Sequence, residues 1–320
     1  AVGVDVNEAD SDGLLKIGEF LAHNGVTAWL PTLVPDSDEN YERLVREVDR
    51  LMEAQKERPV AQALGVHYEG VFANEKMCGA LRPEYFKKFT GGEVESLACP
   101  QNGVCMTTFA PEIEGGVELV RELISRNWIP SIGHTKADPA TLDAAFDAGA
   151  RHMTHFFNAM TGVHHRDVGV AGWGLSKDGV TFDIIADGIH VDRRMVAMVC
   201  TSKGTDGVTL ISDSVAPTGL GDGQFQLWGE TIAVENGRTR NERGSIAGSV
   251  ITMLDAVRNM LALGFSETEV GSMASTNPAR LLGVDSIMGS IEPGKRADLV
   301  AMDAEGNVRW TMVEGRMIES

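Results

Sequence analysis

The chain has 320 residues, 43% of them hydrophobic and 23% charged, which is enough apolar material for a large core and excludes a disordered tail. Lys and Arg total 28 against 46 Asp and Glu, a formal charge of -18, and no basic cluster offsets it, which argues against nucleic acid or an anionic membrane as the main partner. No run of ~18 apolar residues is present and no basic-then-apolar leader, so neither a membrane span nor a secretory segment is expected. Cys78, Cys99, Cys105 and Cys200 show no CxxC spacing and are too few for a disulfide scaffold, which predicts a reducing, cytoplasmic setting.

In chain order, short β-branched or apolar runs at Val26–Leu30, Gln62–Val66, Val104–Phe109, Ile129–Ile132, His152–Phe156, Phe182–Ile185 and Val208–Ile211 have the texture of buried parallel strands. Between them, apolar residues spaced by three and four predict helices over Asn40–Ala54, Glu114–Arg126, Pro139–Ala148 and Arg193–Thr201, with a further one over Val250–Leu263. Asp138 ahead of Pro139 is an N-cap and Gly149 a C-cap for the third of these. Strand followed by helix, repeated, is the pattern of a parallel α/β fold, and an α/β barrel of ~250 residues with an appendage fits the length as well as two domains do. After Leu220 the texture changes: Gln224–Val234, Leu299–Met302 and Val308–Met317 alternate and are punctuated by Gly, Asn and Asp, as antiparallel strands are. The expected division is therefore a (β/α) barrel over 1–220, a small β appendage assembled from 221–249 and 292–320, and a helical segment over 250–291 packing on the barrel.

A parallel barrel presents its chemistry at the C-terminal ends of its strands. Four of the predicted strands end in groups that bind metals or move protons: Gln62–Val66 runs into His67 and Glu69, Ile129–Ile132 into Gly133 and His134, His152–Phe156 passes through His155, and Val208–Ile211 leads to Asp213. Taken singly, a histidine is more often a hydrogen-bonded core or surface residue than a ligand. Jointly, two imidazoles and a carboxylate can hold a divalent ion with a position open for water, leaving a second carboxylate as base. His23 and His164 lack such placement and are expected at the surface, and His152 is expected to pack.

The stretches His67–Gly70, Gly133–Thr135, Thr154–Met160, His165–Gly169, Ala186–Val191, Ser212–Gly219, Ala247–Ser249 and Glu292–Val300 resemble, in order along nearly the whole chain, the N-acetylglucosamine-6-phosphate deacetylases of the amidohydrolase superfamily. That resemblance implies a TIM-type (β/α)8 barrel with a small β-sandwich appendage. It implies Glu69, His134 and His155 as ligands of one divalent metal ion, with Zn first and Fe, Co or Mn as alternatives, and Asp213 as general acid/base. It further implies Ala80, Asn158, Ala159, Arg166, His190, Ile246, Ala247 and Gly248 as contacts to a sugar-phosphate substrate, and a homodimer in which one subunit contributes to its neighbour's phosphate site. A guanidinium such as that of Arg166 suits phosphate on chemical grounds, because it grips two oxygens at once.

Three departures from that family qualify the expectation. Gly79-Ala80-Leu81 stands where the family has a Gly-x-His segment that polarises the substrate carbonyl, and leucine has no proton to donate. Loss of one such donor costs a few kcal/mol of barrier, so a different substrate or lower activity is expected. Val71 replaces a proline after the Glu-Gly pair. Ala1–Asp5 resembles the stretch that follows the family's first barrel strand, so that strand is expected upstream of Ala1, and its absence would leave a barrel edge unpaired. The activity implied is hydrolysis of the acetamide of N-acetylglucosamine-6-phosphate. The alternatives are an amidohydrolase for another substrate, such as N-acetylgalactosamine-6-phosphate, and a non-catalytic sugar-phosphate-binding relative.

Overall fold

The computed structural model describes residues 1–319. Seven strands form one parallel sheet in chain order: β1 (Thr32–Leu33), β2 (Gly65–Phe72), β3 (Val104–Phe109), β4 (Ile129–Ile132), β5 (His152–Met153), β6 (Thr181–Ile185) and β7 (Val208–Ile211). Helices α1 (Ser11–His23), α2 (Asp38–Ala54), α3 (Gly116–Ser125), α4 (Pro139–Ala148), α5 (Gly169–Ser176) and α6 (Arg193–Lys203) surround it, and α7 (Met253–Ala262) follows the barrel strands. The sheet curls as a barrel wall does, but among the described residues its edge strands β1 and β7 do not pair with each other.

Three strands differ from their sequence patterns for physical reasons. The Val26–Leu30 run is broken: Ala28–Trp29 pairs with Gln62–Ala63, and beyond Pro31, which has no N–H to give a ladder, Thr32–Leu33 joins the main sheet. The run at Gln62–Val66 becomes a strand from Gly65 to Phe72, because His67 and Glu69 face the barrel interior, where hydrogen bonds replace the apolar partners that a periodicity argument looks for. The run at His152–Phe156 stops at Met153, and His155 leaves the strand at φ 31°.

Local signals at the helices hold better. Asp138 accepts from the Thr141 N–H at 2.8 Å and Gly149 closes α4 at φ 125°. Helix α1 lies outside the predicted helices although Asp10 caps it by accepting from the Gly13 N–H at 2.9 Å and Leu14, Leu15, Ile17 and Ala22 face the core. The glycine-rich α5, GVAGWGLS, is buried almost all round, so packing rather than propensity forms it. After the barrel, β8 (Gly223–Leu227), β9 (Glu230–Glu235) and β10 (Arg238–Arg240) make one antiparallel sheet and β11 (Leu299–Met302), β12 (Val308–Val313) and β13 (Arg316–Glu319) another, with no hydrogen-bonded ladder between the two among the described residues.

One core runs between the sheet and its helices. Tyr68, outward on β2, stacks on Trp128 at 5.6 Å and meets Tyr41 of α2 edge-on, while Phe156 stacks on Phe182 at 4.2 Å. A second, smaller cluster seats Ala22 of α1 on Val313 and Ile318. Among the described residues no helix is long and apolar enough to cross a membrane.

The cysteine expectation needs one correction: Cys99 and Cys105, either side of the turn that enters β3, are joined by a disulfide with Cα atoms 6.0 Å apart. Cys78 is half-buried, whereas Cys200 is buried and its thiol is pushed up to about 11 by that burial. Native protein at pH 8 is therefore expected to label at Cys78 and not at Cys200, and unfolded, unreduced protein to label at both and nowhere else. Thiol counting by mass spectrometry checks this; four labelled cysteines in unreduced, unfolded protein would contradict the disulfide.

Candidate metal centre and active-site cavity

Glu69, His134 and His155 come from three different strand ends and meet. Strand β2 delivers Glu69 just before its pairing with β3 becomes irregular, where Gly70 takes φ 77° and packs so tightly that a Cβ there would lie 2.3 Å from Leu81 Cδ1. His134 follows β4 through Gly133, at which a Cβ would lie 2.6 Å from Thr108 Cγ2, so no larger residue fits between β3 and β5. His134, His155 and Asp213 have φ of 47°, 31° and 50°, left-handed conformations that L-residues adopt at a cost of about 1–3 kcal/mol each and that cluster at functional sites.

The three candidate ligands close a triangle: His134 Nε2 lies 3.0 Å and His155 Nε2 3.1 Å from Glu69 Oε1, and the two Nε2 atoms are 3.1 Å apart. All three residues are buried. The Nδ1 of His134 faces the Met77 carbonyl at 2.8 Å, which places a proton on Nδ1 and turns Nε2 toward the triangle. Two imidazole nitrogens at this distance from each other and from a carboxylate are placed to share a proton or a cation. Burial alone would raise the Glu69 carboxyl, but the two rings hold it well below the usual range; burial disfavours a charged His155 ring, yet Glu69 overrides it and pushes that ring up to about 9. The donor set, two imidazole nitrogens and a carboxylate oxygen within 3.1 Å of one another, fits a divalent cation.

These groups line a cavity of about 1540 Å³ with Asp213, Ala80, Asn158, Ala159, His190, Ile246 and Gly248. Burial, and then the charge of Glu69, push the Asp213 carboxyl above its ordinary value. Its main chain is laced to the neighbouring loop: the Ser249 N–H donates to the Asp213 carbonyl at 2.7 Å and the Val215 N–H to the Ser249 carbonyl at 3.0 Å. Gly248 allows that approach, since a Cβ there would sit 2.9 Å from the Asp213 carbonyl oxygen. His190 Nδ1 is held by Asp187 at 2.6 Å, leaving Nε2 for a ligand. Asn158 gives its amide N–H to the His155 carbonyl at 3.2 Å.

Of the expected substrate contacts, Ala247 is 1% exposed and Arg166 is exposed on the loop before α5, and neither lines the cavity. Leu81 lines the wall and packs on Gly70, offering no hydrogen bond. Asp5, Asp183 and Trp228 also line the cavity, and sequence patterning did not single them out. His152 is buried, with Nε2 2.9 Å from Asp183 Oδ1 and Nδ1 2.8 Å from Thr181 Oγ1.

Residues 11–318 match the model of the amidohydrolase family. The chain is 36% identical to an N-acetylgalactosamine-6-phosphate deacetylase of Escherichia coli, covering 98% of this chain and 83% of that protein. It is 33% identical to an N-acetylglucosamine-6-phosphate deacetylase of Bacillus subtilis, covering 98% and 80%. The crystal structure of an N-acetylglucosamine-6-phosphate deacetylase from Thermotoga maritima superposes with a TM-score of 0.93 at 33% identity, over 100% of this chain and 86% of that one. A variant of the Mycobacterium smegmatis deacetylase, solved in complex with N-acetyl-D-glucosamine-6-phosphate, superposes at 0.89 with 29% identity, covering 100% and 84%. With a curled parallel sheet, a buried Glu-His-His triangle at its strand ends and these likenesses over nearly every residue, the chain belongs to the amidohydrolase family.

Proposed function

We propose that this protein hydrolyses the acetamide of N-acetylglucosamine-6-phosphate, releasing acetate and glucosamine-6-phosphate, with one divalent ion held by Glu69, His134 and His155. The observation that carries the reading is the triangle of donor atoms at 3.0–3.1 Å in the same cavity as Asp213. Such an ion, zinc first by the chemistry of two imidazoles and a carboxylate, supplies Lewis acidity and lowers the pKa of water toward neutrality.

The protein's own groups do the rest. Asp213 accepts a proton from the attacking water as its oxygen bonds to the acetamide carbon, and returns that proton to the nitrogen as the C–N bond breaks. Its raised proton affinity suits both halves of that exchange. His190, fixed through Nδ1 by Asp187, presents Nε2 to the sugar, and the side-chain oxygen of Asn158 is free to accept from a hydroxyl. Arg166 is exposed and away from its own cavity, which suits a phosphate contact made to a neighbouring copy in a homodimer. The greater identity to the galactosamine relative, 36% against 33%, favours N-acetylgalactosamine-6-phosphate as a second reading.

A coupled assay for acetate separates these readings. Turnover is expected with N-acetylglucosamine-6-phosphate, and a higher kcat/KM for its epimer N-acetylgalactosamine-6-phosphate would select the second reading. The unphosphorylated sugars are expected to react poorly, and equal rates with and without phosphate would remove the sugar-phosphate assignment. Asp213→Asn should keep metal bound, by elemental analysis, while turnover falls about 100- to 10,000-fold; near-normal hydrolysis would exclude Asp213 as the proton carrier.

A further inference from the structure

We infer that Glu112 is a positioning residue for the metal centre, tuning cation affinity through His134 without touching the ion; the inference rests on the metal reading above. Glu112 lies just beyond β3, partly exposed, and no sequence motif marks it. Its carboxylate accepts from three donors. Oε1 takes the Asn74 side-chain amide and the Lys136 backbone N–H, each at 2.7 Å, and Oε2 takes the Thr135 hydroxyl.

Those donors enclose His134. On one side Thr135 and Lys136 directly follow it, so Glu112 fixes the left-handed turn in which His134 sits. On the other, the Asn74 backbone N–H donates to the His134 carbonyl at 3.0 Å, and the Asn74 carbonyl and side-chain oxygen accept from Met77 and Lys76 at 2.8 and 2.9 Å. This short helical turn aims the Met77 carbonyl at His134 Nδ1, 2.8 Å away. The result is a closed ring, hydrogen bonds from Glu112 to Asn74 to Met77 to His134, the chain itself from His134 to Thr135, and a hydrogen bond back to Glu112, in which one carboxylate secures both the main-chain turn and the carbonyl that faces His134 Nδ1. Removing Glu112 opens the ring at both ends, so His134 would rotate and its Nε2 would no longer be held beside Glu69 Oε1.

Outer groups that orient a metal-binding histidine typically alter affinity or activity by about 10- to 100-fold when mutated. The test is zinc affinity of metal-stripped full chain, measured by competition with a chromogenic chelator. Glu112→Ala is expected to weaken zinc binding about 10- to 100-fold. Glu112→Gln, which keeps an acceptor for Asn74 and Lys136, should recover most of the loss. Glu114→Ala, which removes a nearby exposed carboxylate, should leave affinity at the wild-type value. Folded Glu112→Ala with wild-type affinity overturns the inference, as does an equal loss in Glu114→Ala, which would reduce the effect to net charge. If Glu112→Ala does not fold, Thr135→Val, which cuts one arm of the ring, decides: weaker binding supports the inference and unchanged binding overturns it. Failure of the wild-type chain to bind zinc at all is a separate result, and it removes the metal reading together with this one.

Discussion

A carboxylate enclosed by protein on every side is the constraint around which the upper end of this barrel is arranged. An isolated buried charge costs far more than a domain's whole margin of stability, so Glu69 is tolerable only with positive charge or strong donors against it. Two imidazoles at 3.0 and 3.1 Å provide that. Getting them there sets requirements on the chain: Gly133 must be glycine for β4 to pass between Thr108 and Thr154, β5 must end early, and His134 and His155 must accept unfavourable backbone angles. The turns are paid for by hydrogen bonds around them, including those of Glu112.

Below the triangle the barrel interior is also polar. His67 bonds to Thr108, Thr108 to Thr154, and Thr154 to Ser131, at 2.6–2.7 Å, with all three hydroxyl residues fully or almost fully buried. Each member is satisfied by the next, so the network rigidifies the strands carrying Glu69 and His155 where an incomplete one would destabilise them. In a protein with a formal charge of -18, the site concentrates cation-attracting groups at one mouth.

Much of this was legible in the sequence wherever the physics is local. Asp138, Pro139 and Gly149 bound α4 to the residue because capping needs only neighbours in the chain. The runs Val104–Phe109, Ile129–Ile132 and Val208–Ile211 are strands of those same limits because they are buried on both faces. The parallel α/β architecture and the convergence of Glu69, His134 and His155 followed from where polar groups interrupt apolar runs, joined to the family resemblance. What stayed hidden depends on partners distant in sequence. The extension of β2 to Phe72 needs polar neighbours across the sheet, the pairing of Cys99 with Cys105 needs a turn geometry that spacing does not give, and Glu112 reads as an ordinary loop acid until Asn74 and Thr135 are seen beside it.

The left-handed backbone at three of the four central residues limits how this site could change over evolutionary time or by design. Asparagine, aspartate, histidine and glycine enter such a conformation far more readily than branched side chains do, so many exchanges at His134, His155 and Asp213 would be rejected by the main chain before their coordination chemistry mattered. Glu69 stands on a strand and is free of that filter. Altered ion preference, whether selected or engineered, therefore has its most permissive entry point at that one side chain.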